Sequence, residues 1–488
     1  MRIAAFKYSI TIFFLGHFTP IFAQNNAVVN NNKMNVLFIV ADDLNNTLDL
    51  YGQKGVITPN LDRLAKRSTV FTRAYCQSPL CNPSRSSFLT GRRPNHLKIW
   101  TLPPHFRGMY PKIKTLPQYF KEHGYYTVGI GKIFHNWGQA IKGDPLSWSE
   151  PQINYWAIHA WDWYVPGEPY DMHPEVGKRE AIQSVDVPDE VYIDGRSANA
   201  AVNKLSELRE TPFFLAVGFW KPHLPYNAPK KYWDLYDTAH LPEPPNKERG
   251  KNVPEIAYAN SKEARSYTDI PNTGAIPPSK VKELRHGYLA DISFLDANVG
   301  KLLDELDRLD LTQRTIIVFL SDNGYHAGDQ GEFGKWTNFE VGTRIPLLIS
   351  VPGITDSGMI SNSIVELLDL YPTLVELCHL PTPHKSAKLD GVSIIPIIKD
   401  PKATVKSEAI SQIERPLGKE ENQIVMGSTI REENFRYVVW VRKSDNTIVA
   451  EELYDLSKDL FSINNLIKDP KYKAIKTKLR KDLNAGLL

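Results

Sequence analysis

Four short apolar runs alternate along the chain with segments whose apolar positions recur at helical spacing. Nearly continuous apolar runs of this length are typical of strands buried on both faces. The runs are Asn35–Val40, Tyr126–Ile130, Pro212–Gly218 and Thr315–Leu320. The helical segments are Leu61–Lys66, Leu116–His123, Ala198–Leu208 and Gly287–Leu309. Strands that alternate with helices predict an α/β fold with a large, mostly parallel central sheet flanked by helices.

The pattern changes after about Asp400. Short runs that favour antiparallel strands follow, and the chain closes with one amphipathic segment. The predicted strands are Glu408–Gln412, Ile424–Thr429 and Tyr437–Val441, and the predicted helix is Asp469–Leu483. We therefore predict a catalytic domain over residues 24–400 and a smaller C-terminal α+β subdomain with an antiparallel sheet over residues 401–488.

The long segment Pro222–Pro278 is rich in proline, asparagine, lysine and glutamate. Its many turn-forming residues predict loops with short helical pieces. Long ordered loops beside a sheet commonly shape a binding site. We expect this segment to border the substrate.

The first 23 residues have the features of an export signal. Arg2 and Lys7 precede an apolar stretch that ends at Ala23, and we expect cleavage after that alanine. No other apolar run reaches the length of a membrane span, and no cysteine near the cleavage point offers a lipid attachment site. The chain has one N-glycosylation sequon, which starts at Asn45, so heavy glycosylation is not expected and a bacterial protein is favoured. We therefore expect an exported protein, either periplasmic or secreted from a bacterium, with no membrane anchor.

Composition narrows the choice of partners. The 488 residues are 42% hydrophobic with a net charge of +3, which allows a large core and leaves no basic footprint for nucleic acid. The cysteines are Cys76, Cys81 and Cys378, too few for a disulfide framework in an exported protein of this size. We assign Cys76 to the core.

Oxygen-bearing side chains follow two of the predicted strands. Asp42 and Asp43 come directly after the first strand, and Asp322 and Asn323 come directly after the fourth. Functional sites of open α/β sheets lie at these carboxyl ends, and hard oxygen donors suit Ca²⁺ or Mg²⁺ better than zinc. The alternative is that these residues cap turns, but two such pairs in the same topological position favour a calcium-like site.

Basic side chains follow the other two strands and the second acidic turn. Lys132 and His135 come after the second strand, His223 after the third, and Lys335 lies a short distance beyond Asp322. Each alone is more often a solvated side chain. Their shared placement predicts a cluster that supplies positive charge and protons to a charged oxyanion and its leaving alcohol.

The segment Cys81-Asn82-Pro83-Ser84-Arg85 places a cysteine two residues before a proline that can open a helix. A thiol at a helix N-terminus beside Arg85 is expected to favour its anionic form and to face an anion-binding pocket. The alternative is a small buried hydrophobe. The chain has no H-E-x-x-H, G-x-S-x-G or Walker motif, which argues against zinc proteases, serine hydrolases and P-loop enzymes.

This segment, continued by Ser87–Arg92, resembles the signature of the type I sulfatases. The resemblance implies the fold of the alkaline phosphatase superfamily, an α/β sandwich with a smaller C-terminal domain. It also implies that Cys81 is oxidised to formylglycine by a formylglycine-generating or an anaerobic sulfatase-maturating enzyme. The hydrated aldehyde, not the thiol, would then be the nucleophile.

The resemblance also assigns roles residue by residue. The implied calcium ligands are Asp42, Asp43, Asp322, Asn323 and the modified Cys81. Arg85 matches the arginine that stabilises the hydrated aldehyde, and Lys132 and His135 match the pair that supports it and helps to expel sulfate. His223 and Lys335 match the residues that contact the sulfate and protonate the leaving oxygen.

Within the family, most of the chain is similar to the iduronate-2-sulfatase branch and to related bacterial polysaccharide sulfatases. The substrate implied is a sulfated carbohydrate, either a uronate 2-O-sulfate of a glycosaminoglycan or an algal glycan of the ulvan type. Asn323 replaces a histidine of that branch and Tyr325-His326 replaces Trp-Ala, so we predict a different sugar-recognition surface. The alternatives are a two-zinc phosphatase or phosphodiesterase of the same superfamily and a catalytically silent glycan-binding relative.

Overall fold

Strands and helices alternate along most of the chain. The structure is a computed structural model and describes residues 33–136, 139–153, 179–384, 389–417 and 420–487. Its strands are β1 (Asn35–Ala41), β2 (Thr69–Tyr75), β3 (Tyr126–Gly131), β4 (Phe213–Gly218), β5 (Thr315–Ser321), β6 (His326–Ala327), β7 (Phe333–Gly334), β8 (Arg344–Ser350), β9 (Met359–Glu366), β10 (Ala409–Leu417), β11 (Glu420–Arg431), β12 (Phe435–Arg442) and β13 (Ile448–Asp455).

Its helices are α1 (Pro59–Ala65), α2 (Cys81–Thr90), α3 (Pro94–Leu97), α4 (Phe106–Met109), α5 (Leu116–Glu122), α6 (Ile193–Glu207), α7 (Lys230–Trp233), α8 (Pro278–Arg308), α9 (Glu340–Thr343), α10 (Leu370–Leu377), α11 (Ile395–Lys399) and α12 (Lys473–Gly486). The segment 222–278 contains α7 and short 3₁₀ turns at Glu255–Ala257 and Ala264–Ser266. The prediction of loops with short helical pieces is therefore correct.

The central sheet has the strand order β3-β4-β1-β5-β8-β2-β9. Strand β8 is antiparallel to both of its neighbours, and every other pairing in this sheet is parallel. The four strands predicted from the apolar runs lie side by side as β3-β4-β1-β5. The predicted α/β class with a mostly parallel sheet is confirmed.

Alternate residues of β1 explain why its apolar run is continuous. Leu37 and Ile39 point into one core with side chains from α1, α6 and α8, whereas Val36 and Phe38 point into a second core with side chains from α2, α5 and α10. Both faces of the strand are therefore covered by helices, and no position is free for a polar residue.

The sequence pattern did not predict β2, β8 and β9. Strand β2 carries the polar residues Thr72 and Arg73 in its middle. Strand β8 contains Pro346, and proline interrupts the apolar pattern of a strand. Strand β9 lies at the sheet edge and exposes alternate positions. Edge and mixed strands do not need an unbroken apolar run, so the signal used for the central strands misses them.

The C-terminal strands form a second, antiparallel sheet in the order β10-β11-β12-β13. Helix α12 packs on it through Leu479 and Leu483, which contact a core that includes Ile410 and Tyr437. This confirms the smaller antiparallel sheet. The domain boundary at residue 400 stays a prediction, since the described residues from Lys33 onward form one compact unit.

The predicted signal segment lies outside the described residues. Within the described part of the chain, none of the helices combines the length and the apolar character that crossing a membrane requires. The three cysteines are unpaired and buried, and Cys76 is fully buried, as the sequence predicted.

Glu366 joins the two sheets. It ends β9 and is 1% exposed. One oxygen accepts a hydrogen bond of 2.9 Å from the Ile410 amide of β10, and both oxygens bind the Arg93 guanidinium at 2.7 and 2.8 Å. The Lys406 ammonium is 2.8 Å away. Although burial opposes the charged form, Arg93 and Lys406 hold the pKa of Glu366 well below its ordinary value.

We expect Glu366→Gln to lower the free energy of unfolding by about 3–5 kcal/mol at pH 7, because it leaves the half-buried Arg93 without its carboxylate and Lys406 with Asp369 alone. A carboxyl whose folded-state pKa is depressed stabilises the fold above its unfolded pKa near 4.5, and this stability is lost as pH falls. Urea unfolding at pH 7 and pH 4 measures both effects. The exposed Glu376→Gln on α10 serves as the control, and an equal change in the two variants would contradict the role of Glu366.

Candidate active site

The acidic residues meet where β1 and β5 end. The two strands pair in parallel, with Ala41 opposite Ser321, and the Asp322 amide donates to the Ala41 carbonyl at 3.1 Å. Side-chain oxygens of Asp42, Asp43 and Asp322 lie within 4.8 Å of one another, and all three residues are fully buried. The structure thus brings together the three carboxylates that the sequence placed at strand ends.

Asn323 completes this cluster. Its Nδ2 donates to Asp43 Oδ1 at 2.7 Å, while its Oδ1 is buried and has no hydrogen-bond partner in the part of the chain that the structure describes. Asp43 adopts a left-handed backbone with φ of 65°, a conformation that non-glycine residues rarely hold. A donor set made only of oxygens, with one amide oxygen left unsatisfied, fits a hard cation such as Ca²⁺.

Cys81 lies against this cluster at the start of α2. Its Sγ is 3.4 Å from Asp42 Oδ1, and the residue is 2% exposed. Burial and the neighbouring Asp42 carboxylate raise the pKa of the Cys81 thiol well above its ordinary value. Burial and this carboxylate therefore disfavour the thiolate that the helix N-terminus was expected to stabilise. As encoded, this thiol is a poor nucleophile.

Arg85, one turn further along α2, ties the strand ends together. Its Nε donates to Asp322 Oδ2 at 2.7 Å, and its Nη2 lies 3.8 Å from Asp42 Oδ1. Its Nη1 donates to the carbonyl groups of Lys132 and Ile133. A fully buried guanidinium thus compensates the carboxylates of two strands and fixes the turn after a third.

Lys132 reaches the cluster from the end of β3. Its ammonium forms a buried ion pair with Asp42 and lies 4.3 Å from the centre of the Trp220 ring. The turn depends on glycine: a Cβ on Gly218 would lie 2.0 Å from the Lys132 carbonyl oxygen. Lys132 keeps Asp42 ionised, since it opposes burial and holds the pKa of Asp42 well below its ordinary value.

His135 lies on the same loop. Burial and the nearby Lys132 lower the pKa of His135 well below its ordinary value, so the imidazole is neutral at pH 7. Neither ring nitrogen has a hydrogen-bond partner among the described residues. A neutral, unengaged imidazole beside a cluster of charges can accept a proton.

His223 and Lys335 approach Asp43 from the outer side. The Lys335 ammonium lies 2.9 and 2.7 Å from the two Asp43 oxygens, and His223 Nε2 lies 3.7 Å from Asp43 Oδ2. Both also contact Glu263, at 3.5 Å from Lys335 and 3.1 Å from His223. Sequence reasoning missed Glu263, because it lies in the long loop segment and follows no strand.

A cavity of about 470 Å³ opens beside these outer residues. Its lining includes Leu80, Glu263, Lys335 and Trp336. Tyr325 and His326, which the sequence comparison had linked to sugar recognition, are fully buried and do not line it. Tyr325 and His326 therefore affect the packing beneath the site and not the surface of this cavity.

The sequence matches the family described as Sulfatase over residues 34–380 and the N-sulphoglucosamine sulphohydrolase C-terminal family over residues 328–486. It is 32% identical to the iduronate 2-sulfatase of Mus musculus, over 94% of this chain and 95% of that enzyme. The chain therefore belongs to the sulfatase family, whose members hydrolyse sulfuric esters.

Solved structures agree with the fold. A protein bound to its substrate D-glucosamine-2-N,6-O-disulfate superposes with a TM-score of 0.74 at 20% identity, covering 93% of this chain and 97% of that one. The phosphonate monoester hydrolase of Agrobacterium radiobacter has the same TM-score at 22% identity, covering 93% and 96%. The fold is thus shared by enzymes with different ester substrates. The assignment of this chain to the sulfatases therefore rests on the site and on the sequence family, not on the fold.

The oxygen cluster predicts that calcium stabilises the protein. Added Ca²⁺ at 100 times its dissociation constant should stabilise the fold by about 2.7 kcal/mol, because the ion binds only where the carboxylates are assembled. Differential scanning fluorimetry measures the rise in Tm. Asp322→Asn should abolish the rise, whereas Asp329→Asn, a buried carboxylate outside the cluster, should keep it. Metal analysis that finds two zinc ions per chain would contradict the assignment.

Proposed function

We propose that this chain is an exported sulfatase that removes sulfate esters from a sulfated glycan, with formylglycine at position 81 and a bound calcium ion. The observation that carries the proposal is the position of Cys81. Its side chain lies 3.4 Å from Asp42 Oδ1, buried among three carboxylates and three cations, where its thiol is held protonated. This environment suits a residue that is chemically converted before it acts.

Asp42, Asp43, Asp322 and Asn323 would hold the calcium ion. The oxidised side chain at position 81 would supply a hydroxyl nucleophile, and the ion would supply positive charge for the sulfate oxygens. Arg85 and Lys132 position these ligands through their ion pairs with Asp322 and Asp42. Because both cations are buried and paired with carboxylates, their main task is to hold the site in one arrangement.

His223 and Lys335 are placed to act on the substrate. Lys335 and Glu263 line the cavity, and His223 reaches its edge through the contact with Glu263 at 3.1 Å. A sulfate ester entering from the cavity would meet both groups, so Lys335 would bind a sulfate oxygen and His223 would donate a proton to the departing alcohol. His135, neutral and without a partner among the described residues, would take up a proton on the inner side.

The relatives support the substrate class that we propose. The resemblance to an iduronate 2-sulfatase extends along nearly the whole chain, which supports a uronate 2-O-sulfate within a glycan. An algal glycan of the ulvan type, which contains uronate or rhamnose, is the alternative substrate. A maturation enzyme that oxidises Cys81 is required in either case.

Cys81→Ala should reduce sulfate release to background while the fold is retained, since the side chain is small and makes one polar contact. Turnover of 4-nitrophenyl sulfate and the Tm measure the two properties. Cys378→Ala, which changes a buried thiol outside the site, should retain turnover. Mass spectrometry of the peptide containing position 81 tests the modification, and fully active enzyme with only unmodified thiol would rule it out.

His223→Ala should reveal proton donation by its dependence on the leaving group. We expect kcat to fall by about 10²–10³ on a sugar sulfate, whose alcohol needs a proton, and by less than about tenfold on 4-nitrophenyl sulfate. The exposed His240→Ala is the control and should leave both rates unchanged. Equal losses on the two substrates would show that His223 does not act as the acid.

A further inference from the structure

A second cavity adjoins the one beside the catalytic residues. It has a volume of about 630 Å³ and lies between the loop 255–272 and the end of β10. The two cavities share Ala259, Lys262 and Trp336 in their linings. Because Trp336 directly follows Lys335 in the chain, the second cavity extends the catalytic pocket toward the C-terminal sheet.

The charges that line this second cavity are mostly positive. Lys262, Arg265 and Arg415 line it, and among the described residues none of them forms an ion pair within 4.0 Å. Arg265 donates its hydrogen bonds to main-chain carbonyl groups. The acidic lining residue, Glu255, is paired with Arg249 at 2.9 Å, so it does not balance these cations.

Arg415 is the most unusual of the three. It is 6% exposed, and its guanidinium lies 5.9 Å from the ring centre of Trp336 and 5.0 Å from that of Trp440. Its Nη1 donates to the Tyr258 carbonyl at 2.6 Å, and its buried Nε has no partner among the described residues. Glu332 and Glu452 act on Arg415 only from beyond 4.0 Å, so its buried charge is partly balanced and an anion that approaches it would be stabilised.

Trp336 gives the cavity an aromatic wall. It is partly exposed, adopts φ of 76°, and carries the Lys262 ammonium 5.7 Å from its ring centre. An indole face beside unpaired cations offers the apolar surface and the charge that a sulfated or carboxylated sugar ring can use together.

We propose that this second cavity, lined by Lys262, Arg265, Trp336 and Arg415, is a subsite for another anionic sugar unit of the same glycan chain. The proposal rests on the proposed sulfatase function. It makes the protein an enzyme for oligosaccharides with repeated sulfate or carboxylate groups, which fill both cavities, and a poorer binder of short substrates.

The test compares chain lengths in the Cys81→Ala protein, where binding is measured without turnover. The probes are a hexasaccharide and a disaccharide of alternating 2-O-sulfated uronate and N-sulfated glucosamine. Isothermal titration calorimetry measures the affinity of each probe. We expect the hexasaccharide to bind at least tenfold more tightly. Lys262→Gln should reduce that ratio five- to tenfold, and Lys262→Arg, which keeps the charge, should preserve most of it.

Lys282→Gln removes the same charge from an exposed position on α8 and should leave the ratio unchanged. Arg265→Gln is a second variant with the same expected direction as Lys262→Gln, and circular dichroism checks that each variant is folded. Equal affinity for the two probes, or a ratio that Lys262→Gln and Arg265→Gln do not change, would overturn the subsite. If the hexasaccharide binds more tightly but the wild-type protein releases no sulfate, the subsite is supported and the sulfatase function is rejected.

Discussion

The repulsion between buried carboxylates at the ends of β1 and β5 governs the arrangement of the active site. Asp42, Asp43 and Asp322 are fully buried and close together. Two ionised carboxylates at the 4.8 Å bound that holds for this cluster repel by roughly 3–4 kcal/mol at an effective dielectric constant of about 20. The fold balances this repulsion with Lys132 from the end of β3, Arg85 from α2 and Lys335 from the turn after β7. The cluster thus needs five separate parts of the chain at once.

The central strands and the acidic side chains at their ends were predictable because both follow from local pattern. A strand buried on both faces must be apolar, and its carboxyl end must be polar, so Asp42 and Asp322 are visible from their place in the sequence. The edge strand β9 and the interrupted strand β8 lack that pattern. Their positions depend on pairing with distant segments, which local sequence does not encode.

The sequence pattern could not predict the charges around Cys81 or the contacts of Glu263. The helix terminus beside Cys81 is a local feature, whereas the opposing Asp42 carboxylate comes from a strand 39 residues earlier. Glu263 lies in a loop, and its contact with His223 arises only when the loop folds over the sheet. In both cases a long-range electrostatic contact decides the chemistry, and the sequence alone could not supply it.

The proposed reaction and the proposed recognition of the glycan rest on different parts of the structure. The residues proposed to react follow the strand ends of the central sheet, while the second cavity is walled by a loop and by Arg415 of β10. Arg415 donates to the carbonyl groups of Tyr258 and Trp336, so the C-terminal sheet bears directly on that wall. As genes of this family diverge, substitutions in the last quarter of the chain can therefore change which glycan is preferred. Selection on the residues at the strand ends need not change at the same time.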